Sequence, residues 1–350
     1  MSRYVLNAAW FLSALLLAGS LHAATLIVAN KAEATVSLVD LPSGKVAATL
    51  QVGVGPHEVA VSPSGRLALI ANYGNQGQQG STLTLIDVPA ARVLKTIDLG
   101  EYRRPHGLAW LDERRALVTA EQNKALLEVD TEAGKVTGAA VTGQEVSHMV
   151  AVAPGATRAF VANIRSGSIT AVDLKERKRI SDVATGAGAE GIAVTPDGKQ
   201  VWVTNREADT VSVIDAASLQ VLGNLPSASF PIRAEVTPDG KRVLVSNARS
   251  GDLSVFSVAE RKLERRVSLD SAAMGKGKGQ EGRLLGELGG SVPIGIEIAP
   301  DGKRAYVAHA NADQISIVDL ESWKKVGSLT AGKEPDGMGY SKLDVKTGTK

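Results

Sequence analysis

The chain has 350 residues, 44% of them hydrophobic, which is ample for a large buried core. Glycine is frequent, at 36 residues, and aromatics make up only 4%, as expected for many turns and small side chains around a tight centre. A formal net charge of +2 offers no broad field to attract nucleic acid or a membrane surface, and the absence of cysteine excludes disulfides and a lipidated cysteine anchor.

The first element is an export signal. Arg3 precedes an apolar run from Ala8 to Ala18, and small residues around Ala23 and Ala24 offer a cleavage site. The run is short for a membrane span and no second one follows. Residues 1–23 are therefore expected to be removed, leaving a periplasmic or secreted domain with no membrane span.

From residue 24 onward one unit recurs. Val194-Thr-Pro-Asp-Gly-Lys-Gln-Val-Trp-Val-Thr-Asn205 reappears as Val236 to Asn247 and as Ile298 to His309. Pro154, Pro196 and Pro238 stand 42 residues apart, and Gly100, Gly143 and Gly186 stand 43 apart. A repeat of about forty residues holding four short strands is a propeller blade. Within a copy, Glu190 to Thr195 reads as a short apolar strand and Pro196-Asp-Gly198 as a turn, with proline pre-setting φ and glycine accepting positive φ. Val201 to Thr204, Thr210 to Ile214 and Gln220 to Leu225 read as the next three strands.

Innermost strands begin near His57, His106, His148, Glu190, Ile232, Ile294 and Asp336. The three-strand remainders begin near Thr25, Arg66, Arg115, Arg158, Gln200, Arg242 and Arg304. The first remainder lacks an inner strand and the last inner strand lacks a remainder, so the two chain ends should complete one blade and close the ring. The expected fold is all-β: a seven-bladed β-propeller with four antiparallel strands per blade, spanning 24–345, with 346–350 as a tail. Two loops exceed the repeat, at 74–82 and 271–290. In a propeller both would lie on the face where inner strands enter, where function attaches to a rigid scaffold.

Trp202-Val-Thr-Asn205, Phe160-Val-Ala-Asn163, Leu26-Ile-Val-Ala-Asn30 and Tyr306-Val-Ala-His309 resemble the motif of the YVTN-type β-propeller repeat family, over roughly residues 25 to 341. That resemblance implies a propeller of the kind found in exported bacterial and archaeal surface proteins, serving as a binding scaffold. In one blade, Pro56-His57, Pro63-Ser-Gly65 and Ala71-Asn-Tyr-Gly74 show a weaker similarity to lactonase-type seven-bladed propellers.

A repeat carries its own internal control: positions that vary between blades are not needed by the blade. The first inner-strand residue reads His57, His106, His148, Glu190, Ile232, Ile294, Asp336 around the ring. The end of the second strand reads Asn30, Asn72, Glu121, Asn163, Asn205, Asn247, His309. Asparagine there suits a turn cap, and Glu121 and His309 break that rule. Every histidine after residue 24 falls on these two rings, where chance would place roughly 0.2.

Three imidazoles with a carboxylate suit one divalent ion, zinc or another transition metal. The expected ligands are His57, His106, His148 and Glu190, with Glu121 or Glu190 as a further ligand or an acid/base. Arg165, Arg206, Arg233 and Arg249 on blades four to six, with His309 and Asp336 nearby, suggest a site for a small anionic ligand or a peptide segment. Asp40, Asp87, Asp130, Asp173, Asp215 and Asp319 end third strands on the opposite face and read as turn caps.

The leading expectation is an exported binding or scaffold propeller with a polar His/Glu metal pocket at the channel mouth. A metal-dependent hydrolase or lyase acting on a small anionic substrate, lactonase-like, competes with it; there Glu121 or Glu190 would move the proton. A protein-interaction platform built on the 74–82 and 271–290 loops is the third reading. No nucleic-acid partner is expected.

Overall fold

The computed structural model describes residues 24–269 and 286–346. The expected export signal at 1–23, most of the 271–290 loop and residues 347–350 lie outside the described residues. Seven four-stranded antiparallel sheets form the seven blades. Blade one is shared by the chain ends: Pro335–Ser341 pairs with Thr25–Asn30, followed outward by Thr35–Asp40 and Lys45–Gln51. Blade two opens at Pro56–Val61, and the inner strands of blades three to seven begin at Pro105, Ser147, Ala189, Pro231 and Pro293. Each starts one residue before the expected position.

Among the described residues the only helical turns are Lys31–Glu33 and Gly286–Leu288, and no helix is long and apolar enough to cross a membrane. The sheets stack face to face, so the core lies between blades: Phe160, Ile169 and Ala171 of blade four pack with Val201, Val203 and Ile214 of blade five. Outer strands alternate exposed and half-buried residues, as in Lys324–Thr330, because only one edge of that strand is paired.

The turns behave as read. Asp197 Oδ1 accepts from Lys199 N (3.0 Å) and from Thr195 Oγ1 (2.6 Å), tying the Pro-Asp-Gly turn. At the end of the third strand the carboxylate caps the next turn, as Asp173 accepts from Glu176 N and Asp319 from Ser322 N, and in blade six the Ser257 hydroxyl does so instead, accepting from Glu260 N.

The asparagine ring does more than cap. Asn72 Nδ2 donates to Thr82 and Thr84 hydroxyls, both at 3.0 Å, while its oxygen accepts from Gly53 N (3.1 Å) in the incoming loop. One amide thereby holds the second and third strands to the connection from the preceding blade. Asn30 does the same with Thr35, Ser37 and Gly332 N, which locks the shared blade.

Every inner strand carries a register shift over its second residue, and in every blade but the sixth over its third as well. In blade two Pro56 pairs with Asn72 but Val59 with Ile70; in blade five Ala189 pairs with Asn205 but Ile192 with Val203. A bulge re-aims the side chains it contains, and the bulged residues include His57, His106, His148 and Glu190. Glycine follows where blades crowd: a Cβ on Gly107 would come within 2.6 Å of His148 O, and one on Gly191 within 2.6 Å of Ile232 O.

Candidate functional site

The bulges bring the three histidines together. His106 and His148 lie face to face, ring centroids 3.6 Å apart at 34°, and His57 meets His106 edge-on at 5.2 Å. All three are buried. His57 Nδ1 donates to Gly55 O (2.8 Å), which leaves Nε2 as its lone-pair nitrogen, buried and without a hydrogen-bond partner. His106 Nδ1 is buried and unpartnered as well. Burial, reinforced by nearby positive charge, pushes His57 down to about 3, and burial next to two other histidines pushes His106 well below its ordinary value. Both are neutral imidazoles at neutral pH, the form that binds metals.

His148 differs. Burial opposes its charged form, but Nδ1 is hydrogen-bonded to Glu121 Oε1 and Nε2 lies 3.3 Å from Glu190 Oε1, so its pKa is raised. The Glu190 approach is out of line for a hydrogen bond, so the Glu121 contact is the stronger. His106, Glu121 and His148 place one donor atom each within 4.8 Å of one another, close enough to hold a metal ion.

This set shares His106 and His148 with the expected ligands and takes Glu121, the other expected carboxylate, while His57 and Glu190 stand outside it. The structure groups Glu121, not Glu190, with the histidines, and His57 borders the group. The cause is charge pairing. Glu190 Oε2 accepts from Arg206 Nη1 (2.7 Å) and Oε1 from Arg233 Nη1 (3.1 Å). Burial would raise its pKa, but His148 and the two arginines hold it at about 2. A carboxylate so engaged is a weak base. Glu121 is paired with no arginine or lysine; its partners are His148 and Tyr73, whose Oη donates to its Oε2 (2.6 Å).

Arg233 is likewise not a free ligand-binding cation. Its guanidinium is buried and donates to Glu58 Oε1 (2.6 Å), joining blade six to blade two across the channel. Asp336 is taken by Lys31 Nζ (3.0 Å). His309 lies in the asparagine ring: its Nε2 pairs with Ser316 Oγ (2.7 Å), a third-strand hydroxyl position that asparagine engages in other blades, and its Nδ1 with Ser291 Oγ (2.9 Å) in the incoming connection. It is fully buried there and acts in blade locking.

Arg165 and Arg249 are exposed and have no acidic partner among the described residues. They line a groove of about 1010 Å³ with Arg206, Phe230, Glu121 and His148. Arg206 and Arg249 both lie against the Phe230 ring, 5.4 and 5.0 Å from its centroid. A second groove of about 610 Å³, under the 74–79 hairpin of blade two, is lined by Lys31, His57, Tyr73 and Arg104. Between them, a cavity of about 60 Å³ sits at the histidines, walled on one side by Ile232 and Ile294.

Tyr73, Glu58 and Arg104 were not singled out from sequence. Tyr73 borders all three cavities. Its signal lay in the ring of residues that follow the second strand, Lys31, Tyr73, Gln122, Ile164, Arg206, Ala248 and Ala310. Glu58 and Arg233 stand out at inner-strand position three, which is otherwise Gly107, Met149, Gly191, Gly295 and Gly337.

Residues 117–278, a little under half the chain, match the family model described as YNCE-like beta-propeller. Among solved structures the chain is similar to Kuenenia stuttgartiensis hydrazine synthase, at 20% identity and a TM-score of 0.63, over 76% of this chain and 77% of that one. At that identity the likeness speaks for the fold alone. No curated protein matches the sequence. The family match and the seven-bladed ring are consistent with the YVTN-type propeller family that the repeats resemble.

Proposed function

We propose that this chain is an exported binding propeller. In this reading residues 24–345 act as one domain after loss of 1–23. His106, Glu121 and His148 hold one divalent transition ion at the channel mouth, with His57 beside them. The observation that carries it is the buried triad of donors within 4.8 Å. Three buried imidazole nitrogens without a hydrogen-bond partner, on His57, His106 and His148, add to it, because an orphaned buried polar atom is costly unless something binds it. Charge supports it too: Lys31, Arg206 and Arg233 are outnumbered by Glu58, Glu121, Glu190, Glu334 and Asp336 around the mouth.

The ion would supply Lewis acidity and an open coordination position. Arg165, Arg206 and Arg249 would then orient an anionic ligand in the large groove beside it, small molecule or peptide segment. Binding is favoured over hydrolysis because Glu190 is held ionised by two arginines and Glu121 is shared between Tyr73 and His148.

Metal analysis of purified protein beside a His106→Ala variant tests the reading. Near-stoichiometric zinc, copper, iron or manganese that is lost in the variant is the expected result. Protein that stays metal-free after reconstitution with each ion would overturn it. Export is tested separately by N-terminal mass spectrometry of the periplasmic fraction, where a chain beginning near Ala24 is expected.

A further inference from the structure

Three carboxylates at the channel mouth are each held by a side chain from the ring that follows the second strand. Lys31 holds Asp336 (3.0 Å), Arg206 holds Glu190 (2.7 Å), and Tyr73 holds Glu121 (2.6 Å). Two of these donors are cations. Their carboxylates are neutralised, and Arg233 lies near both as well. The third donor is a neutral phenol. Tyr73 therefore fixes the direction of Glu121 without cancelling its charge.

The phenol is itself held in place. Its ring lies 4.4 Å from His57, centroid to centroid, tilted 35°, and stands edge-on to His106 at 5.5 Å. The Arg104 guanidinium covers it at 4.8 Å. A phenol is protonated at neutral pH, so it serves as a donor to the carboxylate. With Oε2 occupied by this hydrogen bond, Oε1 is the oxygen turned to His148.

We infer that Tyr73 is the positioning residue that makes Glu121, rather than Glu190 or Asp336, the anionic ligand of the metal site. The inference rests on the metal reading above and adds the rule that selects the ligand: among equivalent carboxylates, the one oriented by a neutral donor keeps the charge a cation needs. Partners of this kind, hydrogen-bonded to a ligand, typically carry 10–100-fold in metal affinity.

The test is a zinc competition titration and a cobalt(II) absorption spectrum on wild type, Y73F, Y73K and E121Q. Phenylalanine preserves the stacking on His57 and removes only the hydroxyl, so Y73F should bind zinc about 10–100-fold more weakly and shift the cobalt spectrum. In the E121Q background the same change should have little further effect, because Tyr73 acts through Glu121. Lysine restores a donor but neutralises the carboxylate, so Y73K should lose affinity at least as far as E121Q. Y73F within twofold of wild type with an unchanged spectrum would overturn the inference, as would wild-type affinity in Y73K. If Y73F melts far below wild type, the Y73K comparison still decides. Failure of the wild type to bind any ion would instead sink the metal reading itself.

Discussion

Replacing Arg233 with methionine should destabilise the ring by about 3–5 kcal/mol, the cost of removing one partner from a buried ion pair. The guanidinium side chain is only 9% exposed. It touches Glu58 Oε1 at 2.6 Å and Glu190 Oε1 at 3.1 Å, and lies 3.9 Å from Asp336 Oδ1. Methionine keeps the apolar stem but not the charge. Glu190 would retain Arg206 and Asp336 would retain Lys31, whereas Glu58 would have no cation left among the described residues. One buried carboxylate is thus orphaned outright, which sets the magnitude.

The sign of the pH dependence follows from Glu58. Burial already raises its pKa with Arg233 present, and removing the cation raises it further. A carboxyl whose folded pKa lies above its unfolded value favours the fold below the unfolded pKa and loses that contribution as pH rises through the folded one. The penalty in R233M should therefore be larger at pH 8 than at pH 5, and E58Q in the same background should recover most of it. Urea denaturation at the two pH values measures both. A loss under about 1 kcal/mol at pH 8, or an equal loss at pH 5, would refute the argument that the guanidinium compensates Glu58.

Glu235 and Glu297 stand on adjacent inner strands at a position where other blades have alanine or glycine. Burial pushes Glu235 up to about 8 and, with Glu235 beside it, pushes Glu297 well above the carboxylate range. Stability should fall as pH rises from 6 to 9, and E235Q should lessen that fall and exceed wild type at pH 9 by on the order of 1 kcal/mol in urea melts. H309N should match wild type within about 1 kcal/mol and leave metal content unchanged, whereas H309A should cost about 1–3 kcal/mol by stranding the Ser316 hydroxyl. A chain ending at residue 334 should expose the edge of the Thr25–Asn30 strand and elute as aggregates on size exclusion.

The architecture was legible because a repeat prints its period directly: the Pro-Asp-Gly turns and YVTN-like strands located all seven inner strands within one residue. The histidine ring was legible for the same reason, since His57, His106 and His148 break a pattern set by the other blades. What alignment of repeats could not convey was direction. Glu121 and Glu190 looked equivalent on paper, and only the bulge geometry and the placement of Tyr73, Arg206 and Arg233 separate a ligand from a neutralised carboxylate. His309 was read, with Asp336, as part of the site for an anionic ligand. Its ring instead fills an asparagine slot, because imidazole, like an amide, reaches hydroxyls on both sides. Arg233 was read as a ligand-binding cation because nothing in a linear pattern shows that blades two and six face each other across the axis.

The shared blade places Thr25 directly opposite Ser341. The two ends of the ring are thus already neighbours, and a short linker between them would cost little loop entropy. New termini could then be cut into a Pro-Asp-Gly turn of another blade, on the face away from the histidines, without breaking a single strand pairing. A circularly permuted ring of that kind would keep its channel mouth and move both ends away from blade one.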